Sequence, residues 1–193
     1  MAYANATTVK RYLDIPDTSS DDDALLNDLC EAAKQFIDTA TGYTFESFAD
    51  ETLTFDAVEN VDGRFLTFDG MVLASITSIT NGDGVEVESD EYVTEPRNAG
   101  PYYAVRLLSS SGKSWTYTTD PEDAITIVGR QGWSVEPSYE CQHAATVLAA
   151  QWYRQKDSIG DSTRAIITGS SVLSAEGMPR QVTDFIAKFK RLS

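Results

Sequence analysis

The apolar residues of this chain change period twice, and that change constrains the architecture more than any other feature. Between residues 20 and 42, Leu25, Leu26, Leu29, Ala33, Phe36, Ile37 and Ala40 recur at the i, i+3, i+4, i+7 spacing of one helical face. From about Thr52 to Arg130 the alternation is that of half-buried strands. The helical period returns after Glu136-Pro137, in Ala144, Ala145, Leu148, Ala149, Trp152 and Tyr153, and again in Val182, Phe185, Ile186, Phe189 and Leu192. A closing helix of about a dozen residues is marginal alone and must pack on something. The helices at the two ends must meet to bury their stripes, which makes the β segment an insertion. The sequence therefore predicts an α+β fold. Residues 1–50 and 136–193 form a small helical core of two long helices and a short C-terminal one, and 51–135 form an inserted antiparallel β domain.

Local signals punctuate these elements. Thr8 to Leu13 reads as a single helical turn stopped ahead of Pro16. Ser20 is the expected N-cap of the first long helix, with three carboxylates, Asp21, Asp22 and Asp23, at the positive end of the helix dipole. Gly42 stands where a C-terminal glycine cap belongs. Asp62-Gly63 is a hairpin signal between the strands at Thr52 to Asp56 and Arg64 to Phe68. Met71 to Thr80 reads as a third strand with Val72, Ile76 and Ile79 inward, and Asn81-Gly82-Asp83-Gly84 as a turn leading to Val85, Glu86 and Val87. Tyr92-Val93, Tyr102 to Leu108, Trp115 to Tyr117 and Ala124 to Val128 complete a set of short strands suited to a small sandwich or barrel-like sheet. Residues 157–177 read as a long polar loop, a length usually associated with mobility or function.

Charge excludes more than it identifies. The chain of 193 residues carries a formal −15, which opposes phosphate recognition and anionic membranes. Residues 1–100 hold five Lys/Arg against 21 Asp/Glu, and residues 101–193 hold ten against nine. One acidic half and a mildly basic tail describe a polarised particle, although an acidic surface also serves solubility. No stretch resembles a secretory h-region or approaches the ~18 apolar residues of a membrane span, so the chain is expected to stay in the cytoplasm unless it leaves within a larger particle.

A search for chemistry finds little. His143 is the only histidine, and its neighbour Cys141 lies two residues away, where helical side chains diverge. Cys30 and Cys141 make neither a disulfide framework nor a metal set and read as reduced, partly buried thiols. The Gly82-Asp83-Gly84 loop lacks a calcium-ligand pattern, and the Asp21–Asp23 run is explained by its helix. Trp115, Tyr117, Tyr102 and Tyr103 are either core residues or the lining of a sugar or peptide site. The expectation is a non-enzymatic protein without cofactor or metal.

Several of these segments together resemble the head–tail connector (adaptor, or head-completion) proteins of tailed phages. The N-terminal likeness runs through Val9 to Ile15, Asp21 to Leu29, and Ile37-Asp38-Thr39-Ala40-Thr41-Gly42 to Phe45. It continues in Phe65 to Asp69 with Val72 to Ile79, in Ala124 to Gly129 with Gly132-Trp133, in Ala149 to Asp157, and in Met178-Pro179 with the closing helix. The order and spacing carry the resemblance rather than any single motif. Stretches 81–120 and 158–177 are weaker, and the β insertion is larger than in minimal adaptors. The resemblance implies a ring, usually dodecameric, beneath the portal vertex of a virion assembled in the host cytoplasm. DNA would pass through it without specific binding, and a stopper or tail-completion protein would attach below. On that reading the basic end (Arg164, Arg180, Phe185, Lys188, Phe189, Lys190 and Arg191) is expected to dock the portal, and Asp21, Asp22, Asp23 and Asp28 to face the channel. Another head- or tail-completion role, or a ligand- or carbohydrate-binding module on the β insertion, is the competing reading.

Overall fold

The computed structural model describes residues 2–156 and 177–190. It contains four helices and seven strands among those residues, and the chain divides into two compact units, Met1–Tyr43 with Pro137–Ser193 and Thr44–Glu136. The predicted loop at 157–177 falls, apart from Gly177, outside the described residues.

The helical unit is organised around α3 (Tyr139–Lys156), which packs on α1 (Ala6–Leu13), α2 (Asp23–Thr41) and α4 (Arg180–Phe189). Seven consecutive residues, Ala144 to Ala150, are buried, so this stretch of α3 is covered around most of its circumference rather than along the single stripe expected. Alanine at four of those positions lets neighbouring backbones approach closely. Helix α1 is two turns long where the sequence suggested one. A reciprocal capping box starts it: Thr8 N–H donates to Asn5 Oδ1 (2.9 Å) and Asn5 N–H donates to Thr8 Oγ1 (3.0 Å). Helix α2 buries Leu26, Cys30, Ala33, Ile37 and Thr41 and ends on Gly42 in the left-handed region (φ 77°), as expected. Leu25, read as inward, is exposed. The N-cap is Asp22 rather than Ser20, whose carbonyl instead accepts from Asp23 N–H in a preceding turn.

The β unit holds two antiparallel sheets. One has the order β1 (Glu51–Phe55), β7 (Ile125–Gln131), β4 (Leu73–Thr80), and the other β2 (Val61–Asp62), β3 (Phe65–Thr67), β6 (Ala104–Leu107), β5 (Tyr92–Glu95). Phe55, Ile79, Ile125 and Ile127 of the first sheet and Leu66, Val105 and Leu107 of the second share one core with Phe68 and Trp115. The Asp62-Gly63 turn does close a hairpin, but its first arm is the short β2, while β1 pairs with β7 some seventy residues on. Strand β4 buries Leu73 and Ile79 and packs Ile76 on the core; Val72 is only half-buried. Register shifts at Leu73/Ser75 and Ile76/Ser78 give this strand an inward spacing of three, which a strict alternation could not foresee. Trp115 to Tyr117 is not a strand: it makes one isolated bridge, Gly82 with Tyr117, and Trp115 Nε1 donates to the Arg64 carbonyl (2.9 Å).

Candidate docking surfaces

Helix α4 presents two unlike faces. Val182 and Phe185 point into the helical unit, and Phe185 stacks on the half-buried Phe189 with ring centroids 4.7 Å apart. Phe185, expected at a docking surface, is only 2% exposed and anchors α4 to its own unit instead. Lys188 Nζ reaches Glu140 Oε2 on α3 at 2.7 Å and covers the Phe189 ring, so it ties the helix down. Arg180 projects into solvent 3.5 Å from Asp184, and Lys190 is exposed just past the last turn. Of the expected docking cations, these two are presented outward; Arg164 and Arg191 lie outside the described residues.

The four acidic positions separate in the same way. Asp22 Oδ2 accepts from the Tyr153 hydroxyl of α3 (2.5 Å), and Asp23 pairs with the buried Lys10 of α1. Both carboxylates are structural clasps that bring three helices together, although the Asp23 side chain stays 40% exposed, and only Asp21 and Asp28 are exposed without such a partner among the described residues. Nothing local in sequence marks that difference, because the partners lie 13 and 131 residues away. Most of the acid sits elsewhere: the β unit carries 17 Asp/Glu against five Lys/Arg. Two of its carboxylates are held ionised. Hydrogen bonds from Thr77 and then Arg130 pull the Asp50 carboxyl below its usual range, and Lys113 with the Glu88 N–H does the same for Glu91.

The candidate reactive groups are packed apart. Cys30 and Cys141 are buried thiols outside any disulfide, and burial together with the Glu31 charge pushes the Cys30 thiol up to about 11. His143 lies on the surface with its ring edge-on to Tyr12, 6.2 Å between centroids. Among the described residues no group of three or more His, Cys, Asp or Glu is placed to hold a metal, and no helix is long and apolar enough to cross a membrane. The four aromatics expected either in a core or around a ligand divide: Trp115 is buried, Tyr102 packs on the core, and Tyr103 and Tyr117 are 56% and 47% exposed.

Two small open depressions stand out. One in the β unit, about 220 Å³, is bordered by Asn81, Asp83 and Lys113, whose polar groups already bond within the turn. The other, about 190 Å³, is a groove in the helical unit lined by Tyr12, Val147, Gln151, Arg154, Pro179 and Gln181. Arg154 and Tyr12 were not singled out by sequence, although an arginine beside the stripe of a long helix is the one signal available.

No protein-family model and no curated protein sequence matches the chain. Its fold does have solved counterparts. A chain in the neck of an empty gene transfer agent (GTA) particle, computed with C6 symmetry, superposes with a TM-score of 0.57 at 16% identity, covering 97% of this chain and 89% of that one. A chain in the virion of the native GTA particle gives the same values. One in the native GTA neck computed with C12 symmetry gives 0.52 at 16% identity over 89% and 84%. At that identity the likeness is one of fold.

Proposed function

We propose that the chain is a non-catalytic structural subunit of a phage-like virion neck, a head–tail connector. Its copies form a ring under the portal, extend the DNA channel and offer a platform to the stopper or tail. The observation that carries this reading is the fold likeness to neck components, which takes in both units and 97% of the chain. The charge distribution supports it. A channel lined or rimmed by carboxylates forms no lasting phosphate contacts, so DNA slides through. The acidic β unit, with Asp21 and Asp28 of the helical unit, supplies such a surface. Exposed Arg180 and Lys190 at the two ends of α4 are the contacts assigned to the portal.

The test is cryo-electron microscopy of the purified protein mixed with the portal of the same genome. A closed ring stacked coaxially on the portal supports the connector role. Binding instead to an already assembled connector would assign the chain to the stopper position, and selective binding of a glycan by the β unit would replace both readings.

A further inference from the structure

The groove between α1, α3 and the start of α4 is built to receive something acidic. Its apolar side is Val147, Pro179 and the Tyr12 ring, which is 44% exposed. Arg154 lies on its rim, exposed and without an ion pair among the described residues. Helix α4 begins at the same groove with Pro179 as its N-cap, no side-chain cap and no acidic residue in its first turn. No carboxylate of the first turn offsets the partial positive charge of that terminus. The buried Gln151 Oε1 at this groove has no hydrogen-bond donor among the described residues.

A matching shape exists on the β unit. The turn after β4 carries exposed Asp83 and Glu86 on either side of Val85, which is 51% exposed at its tip. The turn is rigid. Asn81 N–H donates to the Val85 carbonyl (2.9 Å), Val85 N–H donates to Asp83 Oδ1 (2.9 Å), and Val87 is fixed in the core. Lys113 Nζ clamps the Glu86 carbonyl at 2.6 Å, which leaves the Glu86 carboxylate free to face outward. A pre-formed acidic knob with one apolar tip loses little conformational freedom on docking.

We infer that the groove of one copy takes the Asp83–Glu86 turn of a second copy. Val85 enters between Tyr12 and Val147, and Glu86 meets Arg154. The occupant is a second copy because the charges are complementary: the turn belongs to a unit of formal −12, and the groove offers a cation with no ion pair among the described residues and a helix terminus without a side-chain cap. Two different patches on each subunit make a head-to-tail contact, the kind that closes rings. The inference rests on the connector reading and names its subunit contact.

The experiment uses Arg154→Glu, Glu86→Arg and the double reversal in the full chain. Sedimentation velocity and native mass spectrometry follow assembly alone and on the portal, over a range of salt. Both side chains are exposed and have no partner to lose among the described residues, so the variants are expected to fold, as melting curves will verify. Each single reversal should weaken self-association about tenfold or more, and the double reversal should restore it. Single variants that assemble like wild type, or a double variant that stays as defective as the singles, overturn the assigned contact while the connector reading stands. A wild-type chain that stays monomeric alone and on the portal overturns both.

Discussion

Gly129→Ala should be one of the two most damaging single methyls in the β unit, alongside Gly82→Ala. Gly129 lies in β7, the middle strand of its sheet, opposite Glu51 on one side and Ile76 on the other. A Cβ there would sit 2.4 Å from the Ser75 carbonyl oxygen and 3.2 Å from Ile76 Cα, where ordinary contact begins at 3.4 Å. Both obstacles are backbone, so no rotamer change relieves them, and β4 must retreat by the missing 1.0 Å. The cause is the pair of register shifts on β4, which bring Ser75 and Ile76 against β7. Overpacking of a rigid site costs about 1–3 kcal/mol, and a displaced ladder hydrogen bond adds about 1 kcal/mol. The sum, about 3 kcal/mol, lowers the melting temperature of a unit this size by roughly 15 °C. Gly63→Ala is the comparison, since that glycine has open space around it but a φ of +60°. It should cost only about 1 kcal/mol. Thermal unfolding followed by circular dichroism measures both. If Gly129→Ala melts as high as Gly63→Ala, close approach at β4 is not what selects glycine here.

Other consequences follow from the same contacts. The depressed Asp50 carboxyl contributes stability above the ordinary carboxylate range of about pH 4, and that contribution is lost as pH falls through its lowered value. Thr77→Val removes the first cause of the depression, so the gap in melting temperature between wild type and variant should narrow in strong acid; a gap that widens contradicts the assignment. Cys30, protonated up to about 11, should resist a disulfide reagent at pH 8 until the chain unfolds. The unfolded thiol ionises near about 8.5, so stability should fall between that pH and about 11; rapid labelling of the native protein would show the helical unit to be open. Arg180→Glu with Lys190→Glu should weaken portal binding without lowering the melting temperature. Lys188→Glu should reduce the stability of the helical unit, by at most about 1 kcal/mol because both partners are more than half exposed, by setting like charge against Glu140. Equal binding by the Arg180/Lys190 double variant would remove α4 from the portal contact.

What could be read from the chain was what neighbours in sequence decide. The buried face of α2 and its glycine cap, the turns at Asp62-Gly63 and Asn81–Gly84, and the change of period that makes the fold α+β are all local patterns. The Asn5–Thr8 capping box is local too, but only a short apolar pattern follows it, so the residues signal a single turn. What stayed hidden depends on distant partners. Asp22 and Asp23 look like two more carboxylates at a helix start until Tyr153 and Lys10 claim them. Phe185 and Phe189 are alike in sequence, but only the first points inward. The register shifts of β4 moved its core position from Val72 to Leu73, and a tryptophan-bearing loop imitated a strand because aromatics alternate with Thr116 there, although only Trp115 is buried and Tyr117 is exposed. The groove at Arg154 is assembled from three helices, so no spacing rule along the chain could have found it.

The central claim is that copies of this chain close into a ring on a portal. Native mass spectrometry of the mixture with the portal of the same genome, read alongside class averages from electron microscopy, tests it most directly. The account predicts a single closed stoichiometry of many subunits stacked on the portal, weakening as salt screens the contacts between subunits. Monomers beside an unoccupied portal, at every salt and protein concentration, would contradict it.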